Sequence, residues 1–257
     1  MYIVDIKRTP VGKFLGSLSN LSATELTKPL FSYFLHKYPY LKKETNEVIM
    51  GNVLSSGVGL NPARIASIKS GISEKVPSYT INHACASGMN AVIQGFRLIK
   101  TGDADLILAG GMESMSQAPY LVARKKRSSK IDPSELIDSL YRDALCCSIS
   151  NLIMGETAEN IAQKYSIKRE EQDSYAFYSH RKAIKARKEK IFSSEIIKMS
   201  ELKDDEGPRD DTSLKKLAKL RTIFKKNGTV TAGNASSIND GAALLLLSSE
   251  KALKNTI

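Results

Sequence analysis

Apolar positions in the first third of the chain recur at two periods in turn. Tyr2–Ile6 is a short β-branched run that stops at the Arg8-Thr9-Pro10 turn. Leu26, Leu30 and Phe34 then recur at helical spacing within 22–38, with Ser22 or Thr24 placed to cap the helix. Glu47–Met50 reads as a strand closed by Gly51-Asn52. Pro62 opens a helix that runs to Gly71, since proline is tolerated in a first turn. Ser78–Asn82 predicts a strand, Ser87–Lys100 a helix ended by Gly102, and Asp105–Ala109 a strand ended by Gly110-Gly111. Strands alternating with helices point to a layered α/β domain.

From about Leu121 to Gly233 the strand signals fade. Two helices stand out there, Thr157–Tyr165 and Arg169–Lys188, while Arg124–Lys130 and Lys203–Thr212 read as polar loops. Strand character returns at Ala242–Ser248 after the turn chemistry of Asn239-Asp240-Gly241, and Glu250–Lys254 begins a last helix.

Composition narrows the classes. The 257 residues hold 42% apolar and 25% charged residues, ordinary for a folded domain. The longest apolar run, Ala242–Leu247, is far short of the ~18–20 residues that span a bilayer, so no membrane partner is expected. The N-terminus lacks a secretory pattern, and three cysteines suit a reducing compartment, so the expected location is cytoplasmic. The net charge of +11 raises nucleic-acid binding as a possibility. The basic stretch 181–190, however, interleaves Ala183, Ile184, Ala186 and Glu189 on a helix, which reads as a solvated face, and no nucleic-acid partner is expected.

One local pattern carries chemistry. In Tyr79-Thr-Ile-Asn-His-Ala-Cys85-Ala-Ser-Gly88 a strand runs into a tight turn, and Cys85 sits where a helix begins. Free N–H groups and the positive dipole end of a helix favour thiolate, the nucleophilic form. From the residues alone two readings of Cys85 stand: an activated nucleophile, or a small apolar residue in the core. His83 reads as solvated or structural, since strand alternation does not aim it at the sulfur. His36 reads as a solvated residue of the first helix, His180 as a residue on the polar face of a charged helix, and the adjacent Cys146 and Cys147 as packing residues; no metal site is expected.

Cys85-Ala-Ser-Gly88, Ala109-Gly-Gly-Met-Glu-Ser-Met-Ser116, Met154-Gly-Glu-Thr-Ala-Glu-Asn160, Arg169-Glu-Glu-Gln-Asp173 and Thr229-Val-Thr-Ala-Gly-Asn-Ala-Ser236 together resemble the thiolase family, closest in wording to its acetyl-CoA acetyltransferase branch. The resemblance implies a thiolase-like layered αβα half, a mixed β-sheet with helices on both faces, carrying an inserted, mostly helical loop domain. The implied boundaries are 1–120 for the first part of the N-terminal domain, 121–233 for the CoA-binding loop domain and 234–257 for the return.

It further implies acyl transfer through an acyl-enzyme on Cys85, either condensing two acetyl-CoA molecules or thiolysing a 3-ketoacyl-CoA. A degradative 3-ketoacyl-CoA thiolase and a non-catalytic half are the alternatives. Leu145, Met154, Arg209, Ala235 and Ser236 match coenzyme A contacts. Coenzyme A thioesters are substrates, with no tightly bound cofactor. Ile153 stands where the family often has histidine, and Ser237 where it has a glycine that tolerates positive φ.

The family's catalytic His in Gly-His-Pro and its second Cys in Cys-x-Gly are not in this sequence. The chain is therefore expected to be an N-terminal half, inactive alone, with an exposed apolar face. Its expected partners are acyl-CoA and either a homo-oligomer or a separate C-terminal half. Most of the charge, +7 from 24 Lys+Arg and 17 Asp+Glu, lies in 121–233, where such a protein meets anionic CoA.

Overall fold

In chain order the strands are β1 (Tyr2–Arg8), β2 (Gly12–Lys13), β3 (Glu47–Gly51), β4 (Ser78–Ile81), β5 (Leu106–Ser114), β6 (Tyr120–Leu121), β7 (Ile137–Asp138), β8 (Cys146–Cys147), β9 (Leu152–Ile153) and β10 (Asn239–Ser248). The helices are α1 (Ala23–Lys37), α2 (Leu41–Glu44), α3 (Pro62–Lys69), α4 (Ser87–Thr101), α5 (Met154–Lys164), α6 (Arg169–Lys188), α7 (Leu214–Ala218) and α8 (Glu250–Thr256). These belong to a computed structural model that describes residues 1–123, 132 and 135–256. The loop expected at Arg124–Lys130 lies outside the described residues.

The chain divides into two units. The first comprises Met1–Ala118, Ser194–Glu206 and Ile238–Ile257; the second comprises Pro119–Ser193 and Gly207–Ser237. This differs from a single insertion at 121–233. Residues 194–206 return to the first unit because Arg8 holds them. Its Nε lies 2.7 Å from Glu195, its guanidinium pairs with both carboxylate oxygens of Asp205 at 2.7 and 3.0 Å, and its backbone bonds those of Glu195 and Ile197. A fork-shaped donor on two carboxylates fixes orientation as well as charge.

The first unit is built on a mixed sheet in the order β1-β10-β5-β3-β4, with β2 added alongside β10. β10 is antiparallel to β1 and β5, while β5, β3 and β4 run parallel. Alternation along each strand sorts its side chains onto two faces. Val48, Met50, Leu106, Leu108, Leu244 and Leu246 pack with α1 and α3, where Leu26, Leu30, Phe31 and Phe34 are fully buried. Ile49, Ile107, Ala109 and Leu247 face the other way, against Ala91 and Ile99 of α4. The central strands are therefore apolar on both faces, as strands covered on both sides must be.

The helix ends follow local chemistry. Ser22 and Glu25 form a reciprocal capping box, Asn61 caps α3 through Arg64 N at 3.3 Å, and Gly102 closes α4 in the left-handed conformation at φ 83°.

α4 has two unlike faces. Ser87, Ala91, Gly95 and Ile99, four residues apart, lie on the sheet. Met89, Ile93 and Phe96 lie on another face and are 70%, 40% and 41% exposed. They form an exposed apolar face on this helix.

The second unit holds the short pairs β6-β7 and β8-β9 together with α5, α6 and α7. Among the described residues no helix is long and apolar enough to cross a membrane.

Candidate active site

Cys85 follows β4 and is separated from α4 by Ala86, in a run of five exposed residues from Asn82 to Ala86. Ala84 just before it has φ 46°, a left-handed conformation that costs a residue with a Cβ about 1–2 kcal/mol. Such strain persists only where surrounding bonds impose it. Here Asn82 Oδ1 accepts from Ala84 N at 3.0 Å. Ser87, 4% exposed, accepts from His83 N at 2.8 Å and donates through its Oγ to Ala84 O at 2.6 Å. Ala86 N and Ser87 N close the turn onto His83 O and Ala84 O at 3.1 and 3.0 Å.

These bonds refine what the sequence implied. Two N–H groups beside Cys85 are engaged by the turn itself. Ser87 is the pin of the turn. His83 contributes its backbone N–H to the turn, and its side chain is exposed.

Glycines bring this turn down onto the sheet. A Cβ on Gly51, at the end of β3, would lie 2.5 Å from Gly88 N. A Cβ on Gly111 would lie 3.1 Å from Gly88 Cα. Only hydrogen at these positions lets the first turn of α4 sit over the end of β3 and the middle of β5.

Beyond Gly111 on the same face, Glu113 accepts from Asn52 Nδ2 at 2.8 Å, Val53 N at 2.8 Å and Leu54 N at 3.1 Å. Burial pushes its carboxyl above the ordinary range; the three N–H donors oppose that shift and the nearby Asp240 adds to it.

Leu145, Met154, Arg209, Ala235 and Ser236, the residues matched to coenzyme A contacts, all lie in the second unit. Leu145 ends a single π-helical turn at Tyr141–Leu145 and is half-buried; Met154 opens α5 and is exposed. Arg209 is exposed, its backbone N–H donating to His180 Nδ1 at 3.2 Å and its guanidinium paired with Asp211 at 3.3 Å. Ala235 donates its N–H to Thr231 O at 3.0 Å, and Ser236 is exposed on the same turn. Among the described residues the left-handed non-glycine positions are Leu15, Ala84, Asn151, Ser166, Lys190 and Asn227; Ser237 is not one of them, so serine suits that place.

A network missed in sequence holds this turn. Glu159 of α5 is 4% exposed and accepts from Thr229 N and Val230 N, both at 2.7 Å through Oε1. Burial raises its carboxyl, but these N–H donors outweigh that effect and hold it below the usual range. Asp173 of α6 takes Asn234 Nδ2 at 2.9 Å and Arg169 Nε at 2.8 Å, and Asn234 Oδ1 takes Thr231 N at 2.7 Å. The three polar blocks of the middle segment thus meet because two buried acids fasten the turn between 229 and 235.

Cys146 and Cys147 form β8, paired with Ile153 and Leu152. The Ser150 hydroxyl, followed by the backbone N–H groups of Ser150 and Ile149, holds the Cys147 thiol below its usual range. Replacing Ser150 by alanine removes the leading donor. The pH profile of Cys147 alkylation, followed by peptide mass spectrometry with iodoacetamide, is expected to move to higher pH. An unchanged profile would show that Ser150 does not stabilise the thiolate. Among the described residues no cluster of three or more His, Cys, Asp or Glu is arranged to hold a metal.

Comparison with known proteins completes the description. The family described as thiolase, N-terminal domain, matches residues 1–251. A Staphylococcus aureus protein named probable acetyl-CoA acyltransferase is 43% identical over 256 residues, covering 96% of this chain and 65% of its own. The chain thus spans about two thirds of the length of the curated relatives it matches. Bacillus anthracis acetyl-CoA acetyltransferase superimposes with a TM-score of 0.90 at 37% identity, over 98% of this chain and 66% of that one. Human mitochondrial 3-ketoacyl-CoA thiolase, solved with CoA, gives 0.91 at 38% identity, over 99% and 66%.

Proposed function

The chain belongs to the thiolase family, and from that premise we propose that it is the acyl-accepting portion of an acyl-CoA C-acyltransferase, with Cys85 as its nucleophile. The observation that carries this reading is the Cys85 turn: an exposed thiol set at a helix start by a strained residue that Asn82 and Ser87 hold in place.

In the first step the Cys85 sulfur attacks the carbonyl carbon of an acetyl thioester. A carbon–sulfur bond to Cys85 forms, the bond to coenzyme A breaks, and coenzyme A leaves as a thiolate that takes up a proton. In the second, a second acetyl-CoA, deprotonated at its methyl carbon, attacks the acyl carbon. A carbon–carbon bond forms and Cys85 is released. Thiolysis of a 3-ketoacyl-CoA is the reverse, and the likeness to a 3-ketoacyl-CoA thiolase supports the degradative direction as a second reading.

Coenzyme A handling falls, in this reading, to Leu145, Met154, Arg209, Ala235 and Ser236. Half-buried or exposed apolar residues suit the pantetheine arm, and a guanidinium suits its anionic end. The thioester is substrate, and the chemistry uses no tightly bound cofactor. Three free cysteines support a reducing, cytoplasmic setting.

Both steps move protons, and general acid–base groups contribute about 10²–10⁴-fold in such transfers. The histidines of this sequence are His36 on α1, the exposed His83 and His180 bonded to Arg209. None is held by a side-chain partner against Cys85, so the reading assigns the proton-moving groups to a C-terminal thiolase half.

The test compares acetoacetyl-CoA thiolysis by the purified 257-residue chain with the chain mixed with the separately expressed C-terminal part of the Staphylococcus aureus relative. Turnover is expected only in the mixture. Enzyme-like turnover by the chain alone would overturn the assignment.

A further inference from the structure

Ala84 is not the only costly feature near Cys85. The Asn52 side chain is 1% exposed, and its Oδ1 is buried with no hydrogen-bond partner. A buried unpaired acceptor of this kind costs about 1–3 kcal/mol. The orientation is fixed by its other end. Asn52 Nδ2 donates to Met112 O at 3.1 Å and to Glu113 Oε1 at 2.8 Å, and a carbonyl or carboxylate there accepts only. Turning the amide over would oppose oxygen to oxygen twice.

Two unfavourable features so close together call for a common cause, and the bonds connect them. Glu113 gathers Asn52 Nδ2, Val53 N and Leu54 N onto one carboxylate. This fixes the loop after β3. Asn52 N donates to Ile81 O at 3.1 Å, tying the loop to the end of β4. Asn82 then donates its Nδ2 to Val53 O at 3.4 Å while its Oδ1 accepts from Ala84 N at 3.0 Å. The path runs from the half-buried Glu113 carboxylate to the loop, to Asn82, and to the left-handed residue that presents Cys85.

We propose that Glu113 is a positioning residue for the nucleophile, acting through the Asn52–Leu54 loop and Asn82 to hold the Ala84–Cys85 turn. It acts through hydrogen bonds to the loop and not on the thiol itself. Its role is to set the geometry of a turn that would otherwise relax, since a preorganised site needs its support shell as much as its reacting group. Asn82 is the adapter: its amide end reads the loop and its oxygen end imposes the strain. The inference rests on the reading of Cys85 as the nucleophile.

The experiment uses the 257-residue chain and iodoacetamide, with peptide-resolved rate constants at Cys85, Cys146 and Cys147. Glu113→Ala is expected to slow alkylation of Cys85 by about fivefold, the equivalent of one lost hydrogen bond. The two cysteines of the second unit serve as internal controls and are expected to keep their rates. Asn82→Ala, at an exposed position, is expected to give the same slowing. Asn82→Asp keeps the acceptor for Ala84 N but loses the donor to Val53 O, so it is expected to slow Cys85 as Asn82→Ala does, and a wild-type rate in Asn82→Asp would show that the loop does not act through Asn82. If Glu113→Ala does not fold, the Asn82 pair decides. Equal Cys85 rates in all variants overturn the inference, as does a parallel fall at all three cysteines. Failure of the wild-type acetyl transfer would instead overturn the reading of Cys85 and leave this comparison intact.

Discussion

Replacing Cys85 by alanine is expected to abolish acetyl transfer in the reconstituted enzyme, by on the order of 10⁴-fold or more, as removal of a covalent nucleophile does. The measurement follows radiolabel from acetyl-CoA into protein and then into its peptides. Label is expected on the peptide holding Cys85, and none on the variant. Cys147→Ala is the matched control. Its thiol is held below the usual range by Ser150 and Ile149, so it is a reactive competitor toward simple electrophiles. Alkylation alone therefore does not single out the nucleophile, whereas acyl transfer from coenzyme A does. Label that persists in Cys85→Ala and disappears in Cys147→Ala would reverse the assignment.

Much of the first unit was legible in the sequence because its elements are defined locally. The capping box at Ser22–Glu25, Pro62 at the start of α3 and Gly102 at the end of α4 act within a few residues. The middle segment was legible in kind: α6 runs over Arg169–Lys188, and the strands there are two residues long.

The misreadings share one cause, which is chemistry acting over long separations. Gly110-Gly111 reads as the end of a strand, yet β5 continues to Ser114. These glycines are needed because β10 and the first turn of α4 come too close for a Cβ, not because the chain turns. Asn239-Asp240-Gly241 likewise reads as a turn and lies in β10, where Asp240 accepts from Ser116 N at 2.9 Å. The return of 194–206 to the first unit depends on Arg8, nearly two hundred residues away.

Cys85 was visible as a cysteine at a strand-to-helix junction among small residues. The support beneath it was not. Glu113 meets its loop across about sixty residues of chain, and no periodicity marks that pairing.

Gly51→Ala tests how firmly the sheet and the nucleophile turn are joined. A methyl group at Gly51 lies 2.5 Å from Gly88 N and closer still to the Ser87 carbonyl carbon. These are backbone atoms of a helix whose own inner face, Ala91 and Gly95, is already against the sheet, so the helix cannot yield by a rotamer change. Overpacking of this kind costs about 3 kcal/mol, near the upper end of its usual range. For a chain of this size that corresponds to a fall of roughly 6–12 °C in melting temperature. Gly207→Ala is the control, because a Cβ there meets nothing within 4 Å and its φ is not left-handed. It is expected to be neutral or stabilising by up to about 1 kcal/mol, through the unfolded chain. Thermal melts of both variants, read beside Cys85 alkylation, separate two consequences of one clash. If Gly51→Ala melts like wild type and Cys85 keeps its rate, the close approach of β3 to α4 is not what seats the turn. If stability falls and the Cys85 rate falls with it, while Cys146 and Cys147 are unaffected in the folded protein, then the packing of a glycine on a sheet edge and the presentation of a thiol are the same structural fact.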